Sequence, residues 1–327
     1  MDNETVQERI LQVTKDTGIP IKKVLDFLYF LRDGKPVENN ELLQKLGVSK
    51  NALNQAKETF SDLLEAPSKN TQLRADAVRR VQTLFDSKYQ PDEALWSVLE
   101  DETYKKALEL LKRYGDKRPI PERRYDQFSA TIETTAKRVS LLDRFEDVAG
   151  KRLLFLGDDD FTSVAVANAR KATGITVLDI DDRILDNIGE IAKNESLEIG
   201  TKHYDARKPL LADHRQKYDV VFTDPPYTTE GIELFVSRAI QALDLQNQSA
   251  RIYVCYGNSD RAKERFLPIY EVFSSSGLMI RWVFDKFNRY QGAESIGSSS
   301  SLFVLDVTSK TKPLITGNYD KPIYTNR

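Results

Sequence analysis

The feature that most limits how this chain can fold is the run Leu153-Leu154-Phe155-Leu156 followed at once by Gly157-Asp158-Asp159-Asp160 and then by Phe161-Thr162-Ser163-Val164-Ala165-Val166-Ala167. The apolar run reads as a buried parallel strand and the second run as the helix after it. In a nucleotide-type α/β fold that turn is where a ligand sits. Such turns are usually glycine-rich, so that backbone N–H groups at the helix start can approach an anion. Three carboxylates repel an anion and attract a cation, so a positively charged amine is expected where related folds hold a phosphate or carboxylate.

From residue 151 onward strands alternate with helices. Strands are predicted at Arg152–Leu156, Thr176–Ile180, Glu198–His203, Asp219–Thr223, Arg251–Tyr256, Met279–Phe284 and Ser301–Val307. This order predicts an α/β, Rossmann-like, doubly wound and mostly parallel sheet with ligands at the carboxyl ends of its strands. Ahead of it, residues 1–118 read as a helical module. Within it, Glu41 to Leu53 has the pattern of a helix-turn-helix, with Gly47 in the turn and Ser49 capping the second helix. DNA binding is one reading of that module; packing or dimerisation by a winged-helix-like unit is preferred, because the second helix carries few base-reading arginines. Arg118-Pro119-Ile120-Pro121 breaks the helical pattern and sets the expected boundary of a catalytic domain over 119–310. Residues 311–327, with Pro313, Gly317 and Pro322, are expected to form a flexible tail.

Composition narrows the function classes. With 48 basic against 50 acidic residues the net charge is −2, which gives no overall drive toward nucleic acid. The single Cys255 and two histidines, His203 and His214, speak against a disulfide framework or a metal centre. No apolar stretch approaches a bilayer span and the first residues are polar, so a cytoplasmic protein is expected.

The candidate site residues lie at the predicted strand ends. Asp179, closing the second strand, is placed to accept both ribose hydroxyls, while Asp181 either joins it or caps the next helix. Asp205-Ala206, after the third strand, suits an adenine contact. The fourth strand runs into Asp224-Pro225-Pro226-Tyr227, a rigid projecting loop able to hold an amino group at a reaction centre. That motif occurs in methyltransferases acting on amino groups of nucleic-acid bases, so an S-adenosylmethionine-dependent amino-methyltransferase acting on DNA or RNA bases is the alternative enzyme. A transcriptional regulator that senses a nucleoside is a third reading. The acidic turn opposes the carboxylate of S-adenosylmethionine and suits the decarboxylated donor, whose aminopropyl chain ends in a bare ammonium.

Taken together, Leu156 to Asp160, Asp224 to Thr228, Tyr125-Asp126-Gln127 with Glu133-Thr134-Thr135, and Gly292 to Ser300 resemble the N(4)-bis(aminopropyl)spermidine synthase family, the branched-chain polyamine synthases. The resemblance implies a class I methyltransferase-like catalytic domain behind a helical N-terminal domain. It implies aminopropyl transfer from decarboxylated S-adenosylmethionine, as co-substrate with no tightly bound cofactor, to the central amine of spermidine, and a homodimer by family analogy. Linear spermidine synthases carry their base in an Asp-Ser-Ser-Asp loop. Here Tyr227 replaces the last acid, which moves the expected base to the acidic turn, Asp159 ahead of Asp160, with Asp224 the remaining catalytic candidate. Gly157 and Asp158 are read as holding the donor or the turn. Gln127 is read as lining the donor pocket, and Tyr125, Pro225, Tyr227 and Glu294 as contacts to the polyamine, with Asp260 a further acid for its distal amines.

Overall fold

The computed structural model describes residues 5–292 and 298–325 and divides into two compact units. The first comprises the chain up to Val98 with Asn258–Lys263 and Arg289–Ser299. Its elements are α1 (Val6–Thr17), α2 (Ile21–Leu31), β1 (Val37–Glu38), α3 (Asn39–Leu46), α4 (Lys50–Thr59), β2 (Asn70–Thr71) and α5 (Ala75–Gln82). Strands β1 and β2 pair antiparallel as a small ribbon. Gly47 ends α3 in the left-handed conformation, and the Ser49 hydroxyl accepts from the Ala52 N–H to cap α4, so the helix-turn-helix signals are used as they were read. Apolar positions at helical spacing, among them Val24, Leu28, Leu42, Leu46 and Leu53, close over Phe27 and Phe60 to form this unit's own core.

The second unit begins at Leu99. It contains α6 (Glu102–Tyr114), α7 (Ile132–Arg144), β3 (Arg152–Leu156), α8 (Thr162–Asn168), β4 (Gly174–Asp179), α9 (Asp182–Asn194), β5 (Gly200–His203), β6 (Val220–Thr223), α10 (Thr229–Ala242), β7 (Arg251–Tyr256), α11 (Leu267–Ser275), β8 (Met279–Arg289) and β9 (Ser299–Asp306). The contact division falls at Val98 rather than at the proline pair, because α6 packs on α7 and α8. Residues 92–99 form a 3-10 helix.

The sheet order is β5-β4-β3-β6-β7-β9-β8. The β3–β4, β3–β6, β4–β5 and β6–β7 pairs are parallel, and β9 runs antiparallel to β7. All seven predicted strands are present, with ends moved by a residue or two, except that β8 continues to Arg289. The order reverses direction between β3 and β6, which opens a crevice at their carboxyl ends. Leu153–Leu156 and Val220–Thr223 are buried on both faces, as near-continuous apolar runs must be in a covered parallel sheet.

The segment after Lys310 is not the flexible tail its prolines and glycine suggested. Ile323 is buried, and Ile315, Tyr319 and Tyr324 pack against the second unit's core. Arg238, fully buried, donates to the carbonyls of Ala206, Ile315 and Gly317, and the Thr228 hydroxyl donates to the Ile323 carbonyl. Backbone groups bound by side chains gave no periodicity to read. No helix among the described residues is long and apolar enough to cross a membrane.

Candidate active site

Three loops meet at the sheet's switch point: the turn after β3, the turn after β4 and the loop after β6. Gly157 starts the first with a left-handed φ of 78°, and a Cβ there would meet no protein atom within 4 Å, so its backbone is open to close approach. Phe161 ends the turn, also left-handed at 57°, with its ring buried. A bulky residue in that conformation costs energy and persists only where its surroundings over-determine it, as the packed ring does here.

Between these points the three acids take different tasks. Asp158 points back on the chain: its carboxylate accepts the N–H groups of Thr162 at 2.8 Å and Ser163 at 3.0 Å, capping α8. Burial nonetheless pushes its pKa up to about 7, against the pull of those bonds. Of the two expectations for Asp158, the geometry bears directly on holding the turn. Asp160 is buried and accepts from the Ala130 N–H at 2.6 Å and from Arg138 Nη1 at 2.9 Å. Asp159 has neither a hydrogen bond nor an ion pair among the described residues, and it is half-buried. Burial pushes its pKa well above the carboxylate range, helped by the charges of Asp160, Asp224 and Asp179 and opposed by that of Arg138.

Asp179 holds two turns in register. One carboxylate oxygen accepts from the Asp158 N–H and the other from the Asp181 N–H, both at 2.9 Å. Burial raises its pKa to about 6, in spite of those backbone bonds. Asp181 caps α9 by accepting from the Arg183 N–H, and it also accepts from Gln127 Nε2 at 3.2 Å. Gln127 therefore meets the β4 turn. Asp205 is bound by the backbone and guanidinium of Arg207, and these bonds outweigh burial and keep its pKa low. Ala206 is buried beside it.

The loop after β6 is fixed at both ends. Pro225 and Pro226 are buried, and α10 can lie against them only because Gly231 is a glycine: a Cβ there would stand 2.7 Å from the Pro226 carbonyl oxygen. The Asp224 carboxylate accepts from Arg138 Nη2 at 2.8 Å and from the Tyr227 hydroxyl at 3.1 Å. Tyr227 also lies 5.6 Å from the Tyr256 ring.

Sequence reasoning missed three parts of this arrangement. Arg138 is one; its only sequence signal is a charge on the buried face of α7, in helical step with Thr134, Thr135, Leu141 and Leu142. Asn288, which accepts from Arg138 Nε at 2.8 Å, lies in the part of β8 beyond the predicted strand. The last part is the chain end: Tyr324 lies 6.0 Å from the Tyr125 ring, and both the N–H and the hydroxyl of Thr325 donate to Asp126. Burial raises the Tyr324 phenol to about 12, with Arg207 opposing and Asp205, Tyr125 and Asp179 adding to the rise. Of the expected polyamine contacts, Glu294 lies outside the described residues, and Asp260 belongs to the other compact unit.

A solved structure shares this fold. The crystal structure of the branched-chain polyamine synthase from Thermus thermophilus, in complex with N4-aminopropylspermidine and 5'-methylthioadenosine, superposes with a TM-score of 0.66 at 22% identity, covering 98% of each chain. Among curated proteins, an uncharacterised protein of Methanocaldococcus jannaschii is 36% identical over 225 residues, 69% of this chain and 56% of its own length. The N(4)-bis(aminopropyl)spermidine synthase of Thermococcus kodakarensis is 34% identical over 196 residues, 59% of this chain and 55% of its own. The chain thus spans about half the length of the curated relatives it matches. The family model for the branched-chain polyamine synthase A C-terminal domain matches residues 106–323, which takes in every strand of the large sheet and the segment after Lys310 as far as Ile323. On that match the chain belongs to the branched-chain polyamine synthase family.

Proposed function

We propose that the protein transfers aminopropyl groups from decarboxylated S-adenosylmethionine to the central secondary amine of spermidine, releasing methylthioadenosine. One observation carries this reading: Asp159 is the acid of the cluster left without a hydrogen-bond or ion-pair partner among the described residues, and burial, with the charges of Asp160, Asp224 and Asp179, raises its affinity for a proton. A secondary amine is protonated in water and has no lone pair until that proton leaves. A carboxylate whose pKa lies above the usual range is better matched to take it than an ordinary one.

The transfer is a displacement at carbon. The amine nitrogen forms a bond to the methylene beside the sulfonium, the carbon–sulfur bond breaks, and its electron pair neutralises the sulfur as the thioether of methylthioadenosine. Asp159 takes the ammonium proton before this attack, and the nitrogen, now tertiary, keeps its remaining proton as an ammonium. The nucleoside is assigned to Gly157, Asp179, Asp181, Gln127, Asp205 and Ala206, and the acceptor side to Tyr125, Pro225 and Tyr227. The acidic surroundings would hold the remaining ammonium groups of the polyamine and orient the attacking nitrogen. A donor that keeps its carboxylate would meet Asp159 with like charge, which disfavours the methyltransferase reading supported by Asp224-Pro225-Pro226-Tyr227.

Mass spectrometry after incubation with decarboxylated S-adenosylmethionine and spermidine tests the proposal. A product heavier than spermidine by one or two aminopropyl units is expected. No gain with that donor, together with methylation of nucleic acid by S-adenosylmethionine, would overturn it.

A further inference from the structure

The carboxyl end of the sheet gathers Asp158, Asp159, Asp160, Asp179 and Asp224, and the guanidinium at its centre is that of Arg138, whose side chain is 1% exposed. Nη1 meets Asp160 at 2.9 Å, Nη2 meets Asp224 at 2.8 Å, and Nε meets the Asn288 carbonyl oxygen at 2.8 Å. Asn288 in turn donates its amide to the Ser300 hydroxyl at 2.9 Å. The Arg138 guanidinium also lies 5.2 Å from the centre of the Phe222 ring in β6. Only a planar fork with several fixed donors spans three partners in different directions, and an ammonium in the same place has one nitrogen to share.

We infer that Arg138 is a positioning residue for the transfer step: by claiming Asp160 and Asp224 it leaves Asp159 as the proton acceptor and fixes the turn after β3 against the loop after β6. The inference rests on the reading of Asp159 given above and assigns the division of labour within the cluster. A carboxylate bonded to a buried guanidinium is a poor proton acceptor, because protonation would leave the guanidinium charge unbalanced in a medium of low dielectric. Asp160 and Asp224 are thereby both engaged by Arg138, and Asp159 is not. The same cation limits how far Asp159 rises, since burial and the charges of Asp160, Asp224 and Asp179 push its pKa upward and Arg138 pulls it down. From β7 the cluster is faced by Cys255, a fully buried thiol held protonated by burial.

Two variants and two readouts test the assignment. Arg138→Gln removes the cation; the midpoint of the Asp159 carboxyl titration, followed by carbon NMR on aspartate-labelled, ligand-free protein and assigned with Asp159→Asn, is expected to rise by about one unit or more. The acid limb of the kcat profile should move up with it. Arg138→Lys keeps the charge and loses the fork: kcat should fall about 10- to 100-fold while the acid limb and the methylthioadenosine affinity stay in place. Should Arg138→Gln not fold, Arg138→Lys carries the test. An unmoved Asp159 midpoint in folded Arg138→Gln, or full kcat in Arg138→Lys, would overturn the inference. The NMR titration needs no turnover, so it stands even if aminopropyl transfer by the wild-type protein is not found.

Discussion

The two ends of the large sheet treat buried charge in opposite ways. At the end where the parallel strands start, acids and bases are matched: Arg152 with Asp219, Arg251 with Asp147 and Asp306, Arg281 with Asp306. Asp219 shows the effect, since its bonds to Arg152 outweigh burial and hold its pKa at about 2. At the carboxyl end, Asp158, Asp159, Asp160, Asp179 and Asp224 surround Arg138, and the pKa values of Asp158, Asp159 and Asp179 are raised. The matched end completes its own electrostatics and so serves the fold. The mismatched end carries more acids than Arg138 can pair, which is the property the proposed reading requires.

The largest effect that would break this contrast is expected from Asp159→Asn. It removes the charge with almost no change of size, so turnover should fall at least about 10³-fold, with melting temperature unchanged or higher. Steady-state kinetics beside a thermal melt checks both halves. Near-normal turnover would place the proton acceptor elsewhere. At the other end the effect should fall on stability alone. Asp147→Ala strips Arg251 of one partner and the Tyr253 hydroxyl of its acceptor, and should cost about 3 kcal/mol in denaturant unfolding. The kcat profile of the folded fraction should keep its shape.

The pH dependence of stability sharpens the comparison further. An acid with a lowered folded pKa stabilises above its unfolded value, so the contribution of Asp219 is present above about pH 4 and is lost as pH falls through about 2. Acids with raised folded pKa values work the other way. Ionising Asp158 and Asp179 becomes costly as pH climbs from about 4 through about 6 for Asp179 and about 7 for Asp158. The ligand-free protein should therefore melt highest on the acid side of neutrality. Methylthioadenosine with spermidine should raise the melting temperature more at pH 8 than at pH 5, because the polyamine pairs with ionised acids. An equal rise at both would show that the crevice does not bind through its charge.

Much of the architecture was legible because it is local. Leu153–Leu156 and Val220–Thr223 are apolar runs that announce buried strands, Gly47 and Ser49 mark a turn and a cap, and the acids at the strand ends fall where a doubly wound sheet opens. The chain end was misread for the complementary reason: its order comes from Arg238, Thr228 and Asp126, residues remote in sequence that bind its backbone. A segment held by its main chain needs no pattern in its own side chains.

What the sequence determined by itself, then, is the strand order's alternation, the place of the crevice and the excess of acid within it, since hydrophobic period and turn chemistry act over a few residues. The tertiary structure alone decided which acid is left without a hydrogen-bond or ion-pair partner among the described residues. Arg138 stands 22 residues from Asp160 and 86 from Asp224, and only folding brings its guanidinium to both. Adjacent acids are chemically alike along a chain; burial and partners in space make Asp158 a cap, Asp160 half of an ion pair and Asp159 the open carboxylate.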